Sequence, residues 1–179
     1  MSRSNDTREK LLLQARLLTW AHGYSNVSLR EIAQSAGVDV ALISRYFGGK
    51  RALFEATLQG AFAMPPVNNV NELVEAIVRI FVSTPREVGD PSVLQLMVMN
   101  ARDPEVGEMV RHAQSENMQN ALEALIGDPA RAALLMSVIL GFSIVEKSLC
   151  LSGIPHHTAP EYEVQIRHMI TAALNCPVA

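Results

Sequence analysis

The sequence contains few aromatic residues, few charged residues and only two cysteines. Phe, Trp and Tyr make up 5% of the 179 residues, and Asp, Glu, Lys and Arg together make up 18%. Because 49% of the residues are apolar, the composition excludes a disordered chain, and the many Leu, Val, Ala and Met residues favour helices over strands. Cys150 and Cys176 are too few for a disulfide scaffold and predict reduced thiols.

The chain also lacks the motifs of common enzyme and cofactor sites. It contains no Gly-rich phosphate loop, no nucleophile elbow and no HExxH zinc motif, so we expect no catalytic residues and no cofactor. His156 and His157 are adjacent, and no carboxylate lies at a ligating offset before Glu161. Since adjacent side chains in a loop point apart, we expect no metal site here.

Long apolar segments are absent as well. The polar N-terminus predicts that there is no signal peptide, and the most apolar run covers residues 132–145. This run is shorter than the roughly 20 residues that span a bilayer, so it predicts a buried helix and no membrane partner. These features indicate a cytoplasmic protein.

Charge is unevenly distributed along the chain. Residues 1–60 contain eight Lys and Arg against five Asp and Glu, a net +3, whereas residues 61–179 contain seven against thirteen, a net −6. A basic first part on an acidic remainder is typical of a protein whose first part meets nucleic-acid phosphates and whose second part does not.

A helix-turn-helix pattern covers residues 28–50. Ser28 and Glu31 have the spacing of a capping box, and the helix that they open is predicted to end at Gly37, where a sharp turn needs a positive φ. The second helix is expected to pack on the first through Val38, Ile43 and Phe47. In this motif the second helix enters the DNA major groove.

Residues 8–58 resemble the DNA-binding domain of the TetR family of bacterial transcriptional repressors. The sequence departs from the family pattern at Ser44, where an aromatic residue or histidine is usual, and at Thr19, where Phe is usual. The resemblance implies an all-α fold, with an N-terminal three-helix helix-turn-helix domain and a C-terminal helical domain for ligand binding and dimerisation. The matching residues are Ala15, Leu18, Gly23, Tyr24, Ser28, Leu29, Arg30, Glu31, Ile32, Ala33, Ala36, Gly37, Val38, Tyr46, Phe47, Lys50, Leu53 and Phe54.

Nine residues are candidates for the DNA interface. Arg45 and Arg30 are candidate base readers, because a guanidinium can bond guanine O6 and N7 together. Val40 and Ala41 can touch thymine methyl groups, and Asp39 is expected to cap the second helix. The four candidates for phosphate or sugar contacts are Ser28, Ser44, Tyr46 and Lys50. For Tyr46, a half-buried core position is an equal alternative.

The remainder of the chain predicts further helices. Lys50 opens a connecting helix of residues 50–64, and Pro65–Pro66 separates the DNA-binding domain of residues 1–48 from a helical domain of residues 65–179. Residues 1–5 are predicted to be disordered, Asp6 to cap the first helix, and residues 85–91 to form a loop.

Two helices offer more apolar surface than one small domain can bury. The predicted helix of residues 129–151 is apolar nearly all round and has a line of small residues at Ala133, Ser137 and Gly141. The last helix has an apolar stripe that includes Ile166. In TetR-like proteins the last two helices pair with their copies in a second subunit, so the resemblance implies a homodimer.

Methionines and sparse polar groups suggest a deformable ligand pocket in the C-terminal domain. The candidate lining residues are Phe81, Met97, Met109, Asn117 and Met136. Simple core filling is the alternative reading of these residues. We therefore predict a ligand-responsive repressor that binds a near-palindromic double-stranded operator and leaves it when an apolar small molecule binds. The alternatives are a ligand-blind architectural repressor, and a helical carrier or enzyme whose helix-turn-helix does not read DNA.

Overall fold

The computed structural model describes residues 3–83, 91–147 and 149–177. These ranges form ten α-helices and no strand, so the all-α fold predicted from the sequence is confirmed. The predicted loop of residues 85–91 and the start of the predicted disordered terminus lie largely outside the described residues. The helices are α1 (Arg3–His22), α2 (Leu29–Ala36), α3 (Ala41–Phe47), α4 (Lys50–Thr57), α5 (Val70–Ser83), α6 (Val93–Asn100), α7 (Gly107–Gln114), α8 (Asn120–Ile126), α9 (Pro129–Lys147) and α10 (Pro160–Leu174).

The helices pack into two compact units. The first unit contains Met1–Ala63 and Glu87–Ser115, and the second contains Met64–Arg86 and Glu116–Ala179. The chain therefore leaves the first unit after Ala63 and returns to it for α6 and α7, a return that no sequence pattern indicated. A π-helical segment, Ser115–Gln119, connects α7 to α8.

Apolar side chains of α1 to α4 form the core beneath the helix-turn-helix. Trp20 is fully buried, and its indole N–H donates to the Thr57 hydroxyl at 3.0 Å. Thr19, one of the two departures from the family pattern, is also buried and donates its hydroxyl to the Ala15 carbonyl at 2.7 Å. The polar atom of Thr19 is thereby satisfied inside α1. The core cluster comprises Leu11, Ala15, Val27, Ile32, Ala33, Ile43 and Leu53.

Two helix boundaries that the sequence predicted in the first unit, the start of α1 and the end of α4, were wrong. Helix α1 begins at Arg3, so residues 3–5 are helical, and Asp6 lies within α1, where it pairs with Lys10 at 3.0 Å instead of capping the helix. Helix α4 ends at Thr57, well short of residue 64. Gly60 adopts a φ of 70°, which an α-helix does not accommodate, and the chain continues in turns.

The second unit is built from α5, α8, α9 and α10. Aromatic rings connect three of these helices, because Phe142 of α9 contacts both Phe81 of α5 and Tyr162 of α10, with ring centroids 5.7 and 5.8 Å apart. At the surface, the Arg167 guanidinium pairs with the Glu75 carboxylate and with Glu163, so that α5 and α10 are also joined by charge.

Helix α9 is more exposed than the sequence predicted. It contains an 18-residue window, Pro129–Glu146, that is long and apolar enough to cross a membrane by length and composition, and 22% of that window is buried within the chain. Two predictions were therefore wrong. The helix is long enough to span a bilayer by length and composition, and most of it is not buried within the single chain. Apolar helices of this kind also occur in proteins that bury them against a partner.

Candidate nucleic-acid interface

The helix-turn-helix is held in shape by a complete capping box. The Ser28 hydroxyl accepts a hydrogen bond from the Glu31 N–H at 3.2 Å, and the Glu31 carboxylate accepts one from the Ser28 N–H at 2.6 Å. These bonds from Ser28 lower the pKa of Glu31. At the other end of α2, Gly37 has a φ of 66° and a ψ of 34°, the left-handed conformation that its lack of a Cβ allows. The sequence predicted both ends of α2 correctly.

The second helix of the motif, α3, begins at Ala41, two residues after the side chain that caps it. Val40 occupies the N-cap position, and the Asp39 carboxylate accepts a hydrogen bond from the Ala41 N–H at 2.7 Å. Asp39 thus supplies the capping bond from one position further out. Ile43 is fully buried beneath α3 and fixes which face of the helix looks outward.

The outward face of α3 presents the side chains that the sequence predicted for DNA contact. Val40, Ala41, Ser44 and Arg45 are all exposed, and Val40 keeps 39% of its surface accessible although it is apolar. Within the described part of the chain, the Arg45 side chain makes no hydrogen bond or ion pair. An exposed arginine beside small and apolar side chains is suited to reading base edges in a major groove.

The last two residues of α3 are tied to α1. Tyr46 is half-buried, and its hydroxyl accepts a hydrogen bond from the Ser4 hydroxyl at 3.2 Å. The Arg8 guanidinium lies 5.0 Å from the centre of the Phe47 ring. Arg8 is therefore a basic group beside α3 that sequence reasoning did not select, because nothing in the sequence relates residue 8 to residue 47.

Lys50 stands at the start of α4, after two glycines with positive φ. Gly48 and Gly49 have φ values of 86° and 146°, so the sharp change of direction between α3 and α4 depends on residues without a Cβ. The Lys50 ammonium lies 4.1 Å from the centre of the Tyr24 ring. This cation–π contact holds a predicted phosphate-binding group in place beside the helix start.

Ser28 and Arg30 complete the candidate interface at the start of α2. Both side chains are exposed, and the Ser28 hydroxyl already accepts the capping bond. All nine predicted DNA contacts thus lie in the first unit, within the span from α2 to the start of α4. Their roles toward DNA stay predictions.

The five predicted ligand-binding residues are divided between the two units. Phe81, Asn117 and Met136 belong to the second unit, whereas Met97 and Met109 belong to the first. Asn117 is exposed and lies in the π-helical segment. Met97 and Met136 are buried.

A small apolar cavity lies between α5, α9 and α10. It has a volume of about 10 Å³, which is room for about one water molecule. Of the five predicted ligand residues, Phe81 lines it. Its other lining residues are Val138, Ile139, Phe142, Ile166, Met169 and Ile170. An open groove of about 480 Å³ along residues 65–79 contains none of the five.

Family profiles cover both parts of the chain. The profile described as "Bacterial regulatory proteins, tetR family" matches residues 11–57, and the profile described as "Tetracyclin repressor-like, C-terminal domain" matches residues 71–173. A curated relative, the probable HTH-type transcriptional regulator YttP of Bacillus subtilis (strain 168), is 49% identical over 49 residues. That match spans 27% of this chain and 24% of the relative.

Solved structures with the same fold cover nearly the whole chain. NalD of Pseudomonas aeruginosa, named as the secondary repressor of the MexAB-OprM multidrug efflux pump, has a TM-score of 0.68 at 20% identity and covers 95% of both chains. A putative TetR-family regulator of Mesorhizobium loti has a TM-score of 0.58 at 20% identity, covering 97% of this chain and 98% of that one. An HlyIIR mutant has a TM-score of 0.61 at 19% identity, covering 96% and 98%.

The helix-turn-helix geometry and the two family profiles indicate the same family of proteins. The first profile covers the capped motif and its exposed α3 face, and the second covers α5 to α10 almost completely. Members of this family are DNA-binding transcriptional regulators rather than enzymes. The chain belongs to the TetR family of bacterial transcriptional regulators.

Proposed function

We propose that this protein is a cytoplasmic, homodimeric repressor that binds a near-palindromic operator and is released from it by an apolar small molecule. The observation that carries the DNA-binding part is the exposed face of α3, which presents Val40, Ser44 and Arg45. The left-handed turn at Gly37 and the capping bond from Asp39 fix the start of this helix. Repression rather than activation is supported by the repressor-like description of the profile that matches residues 71–173.

Homodimer formation is supported by an open apolar face on α9 and α10. The predicted small-residue line of Ala133, Ser137 and Gly141 is exposed, and apart from its chain neighbours and the adjacent backbone of α9, no described atom lies within 4 Å of a Cβ placed on Gly141. Leu134 on α9 and Val164 on α10 retain 36% and 67% of their surface. A partner helix can approach such a face closely because its side chains are short.

The predicted dimer contact at Ile166 needs a correction. Ile166 is 1% exposed and faces the interior of its own unit, because Tyr162, Ile166, Ile170 and Ala173 form the inward stripe of α10. A charged residue at position 166 would therefore disrupt the single chain. The outward side of α10 instead presents Val164.

An effector would have to enlarge the cavity between α5, α9 and α10. Small-molecule sites commonly have volumes of about 300–1,000 Å³, against about 10 Å³ here. The lining is apolar and includes Met169, whose unbranched side chain adapts easily to a new shape. Operator release then follows if the enlarged form favours an arrangement of the dimer's two DNA-binding domains that no longer fits the two half-sites of the operator.

The small volume of this cavity also favours the second candidate, a repressor that responds to no ligand. When a unit is already well packed, the free energy needed to enlarge its cavity offsets the free energy of ligand binding. The two candidates differ in one measurable respect, since the ligand-blind form keeps the same operator affinity whatever apolar compound is added.

Sequencing the fragments of the organism's own DNA that the wild-type protein retains would test the proposal. We expect a small set of fragments that share a near-palindromic sequence, and we expect Arg45→Ala to weaken the enrichment and to relax the shared sequence at one base position of each half-site. Retention of fragments without any shared sequence would contradict an operator-specific repressor. Arg79→Ala, which removes one exposed arginine from α5, is the charge-matched control.

A further inference from the structure

The corner between α6 and α7, residues 100–107, is hydrogen-bonded to the turn that precedes α2. Asn100 is fully buried, and its Nδ2 donates to the Thr19 and Leu96 carbonyls, each at 3.1 Å. Its Oδ1 accepts a hydrogen bond from the Tyr24 N–H at 2.7 Å. Because a buried amide that loses a partner also lacks water, this arrangement is costly to disturb.

Asp103 forms a second connection to the same turn. Its Oδ2 accepts hydrogen bonds from the Ser25 N–H at 3.1 Å and the Ser25 hydroxyl at 2.6 Å. Its Oδ1 accepts from the N–H groups of Glu105 and Val106 at 2.9 and 3.2 Å. Although burial raises it, the pKa of Asp103 is lowered overall by these hydrogen bonds, so the carboxylate is charged at neutral pH.

The corner itself is sterically fixed. A Cβ on Gly107 would lie 2.8 Å from the Ala101 carbonyl oxygen, which real Cβ atoms do not approach, so the backbone closes tightly where only glycine fits. The Arg111 guanidinium donates to the same carbonyl at 2.5 Å. The corner therefore holds Asn100 and Asp103 as a rigid pair.

Tyr24 carries this connection to the candidate DNA interface. Its hydroxyl donates to the Glu105 carboxylate at 3.1 Å, while its ring contacts Phe54 at a centroid distance of 5.3 Å. The Lys50 ammonium lies over the same ring. The turn before α2 and the start of α4 thus meet at one side chain that the corner anchors.

We propose that Asn100 and Asp103 are positioning residues, which hold the turn before α2 and the start of α4 in the arrangement that reads DNA. The proposal rests on the proposed function, because it assigns the pair a role in operator binding. Neither residue needs to touch DNA, and a carboxylate at Asp103 would repel a phosphate. The bonds join positions 76 to 81 residues apart, so they set the relation between separate elements and not the local helix geometry.

The test compares Asp103→Asn with Glu108→Gln in the full-length protein. Both variants remove one negative charge with little change in shape, but an amide at position 103 cannot accept all four hydrogen bonds, whereas Glu108 is exposed on α7 and serves as the control. The DNA probes are the duplex that the wild-type protein selects from a random-sequence pool and an unselected duplex of the same length. Amide hydrogen exchange at Ser25 and at the first turn of α2 provides a readout that does not involve DNA.

For Asp103→Asn we expect faster exchange at Ser25 and a roughly tenfold loss of affinity for the selected duplex. Affinity for the unselected duplex and the salt dependence should not change, because no phosphate contact is removed. Glu108→Gln should behave as wild type in every measurement. A role confined to stability would lower the melting temperature but leave the affinity of the folded protein for both duplexes unchanged, and that result would overturn the proposal.

Unchanged exchange at Ser25 and α2 in Asp103→Asn would also overturn it, whether or not a duplex had been selected. If the wild-type protein selects no duplex at all, the proposed operator binding fails, and with it the role assigned to the pair. Exchange that is altered by Asp103→Asn in that case would identify the connection as structural only.

Discussion

At the scale of single residues, the local features of the DNA-reading motif follow from the sequence and the long-range ones do not. Ser28, Glu31 and Gly37 were predictable because a cap involves residues three apart and a left-handed turn requires one residue type. The hydrogen bonds of Asn100 to Thr19 and Tyr24 were not, because no periodicity relates residues so far apart. Tyr24 was recognised as part of the family pattern, but its partners became visible only in the fold.

Truncating Arg45 and truncating Lys50 are expected to weaken DNA binding in different ways. Arg45→Ala should cost about 1–3 kcal/mol of binding free energy and relax the preference at one base position of each half-site. Lys50→Ala should weaken binding to all sequences alike and lower the salt slope by about 0.9 for each phosphate that the protein no longer neutralises. The measurement is binding to the operator and to single-base variants across a salt series. An equal loss of affinity for every base variant in Arg45→Ala would make Arg45 a phosphate-binding residue.

Tyr24 should make the stability of the protein depend on alkaline pH. Burial, together with the hydrogen bond to Glu105, raises the pKa of Tyr24 from 10.0 to about 12. The folded state therefore holds the phenolic proton more tightly than the unfolded state does, and its contribution to stability is complete below pH 10 and is lost as the pH rises toward about 12. Urea unfolding at several pH values should show a steeper decline for wild type than for Tyr24→Phe.

Glu105→Gln is the matched variant for this prediction. It keeps an acceptor for the Tyr24 hydroxyl but removes the negative charge that opposes tyrosinate formation. Its decline between pH 10 and 12 should be shallower than that of wild type. Identical slopes for wild type and Tyr24→Phe would show that another group causes the alkaline loss.

At the scale of helices, the existence and type of each element were easier to predict from the sequence than its ends and surroundings. Helix α4 stops at Thr57 because Gly60 leaves the helical region, although the apolar pattern continues beyond it. The inward stripe of α10 was recognised, but the side of the helix that a second chain would meet could not be separated from it without the positions of α5 and α9. The sequence indicated surplus apolar surface on α9 but not how much of it the chain itself covers, since an apolar helix has the same pattern whether its own chain or a partner covers it.

Val164→Glu should convert the dimer into a monomer without unfolding the chain. Val164 is 67% exposed on α10, so a carboxylate costs the single chain little, whereas burying that charge in a helix pair is strongly unfavourable. Light scattering at micromolar concentration gives the mass, and circular dichroism gives the helix content. Ile80→Glu is the control, because Ile80 is similarly exposed, at 54%, but lies on α5. A wild-type protein that is already monomeric would refute the proposed dimer.

At the scale of the whole molecule, the family and its division into a DNA-reading part and a helical remainder could be recognised from the sequence. The set of five ligand residues stays a prediction, because helical periodicity shows which residues face inward but not which inward faces meet. The structure distributes these five over two units and places a small apolar cavity at Phe81. A pocket that forms only when a ligand enters has no sequence signature beyond an apolar lining.

Ligand binding and DNA binding should be linked in the intact protein. An apolar compound that enters beside Phe81 should raise the melting temperature and lower operator affinity by the same mechanism, since it stabilises one of two forms. Screening apolar compounds by thermal shift and then by operator titration measures both. Phe81→Trp, which adds bulk to the wall of the cavity, should weaken the thermal shift. A compound that stabilises the protein but leaves operator affinity unchanged would favour the ligand-blind form.

The most direct test of a dimeric repressor is the stoichiometry of its complex with a duplex selected by the wild-type protein. We predict two chains on each duplex, and two half-sites about 34–36 Å apart or at a multiple of that distance. Scrambling one half-site should then reduce the affinity far more than doubling the salt concentration does. Val164→Glu should bind the intact duplex no more tightly than the duplex with one scrambled half-site. A single chain on each duplex, with an affinity that does not change when one half-site is scrambled, would contradict a dimeric repressor.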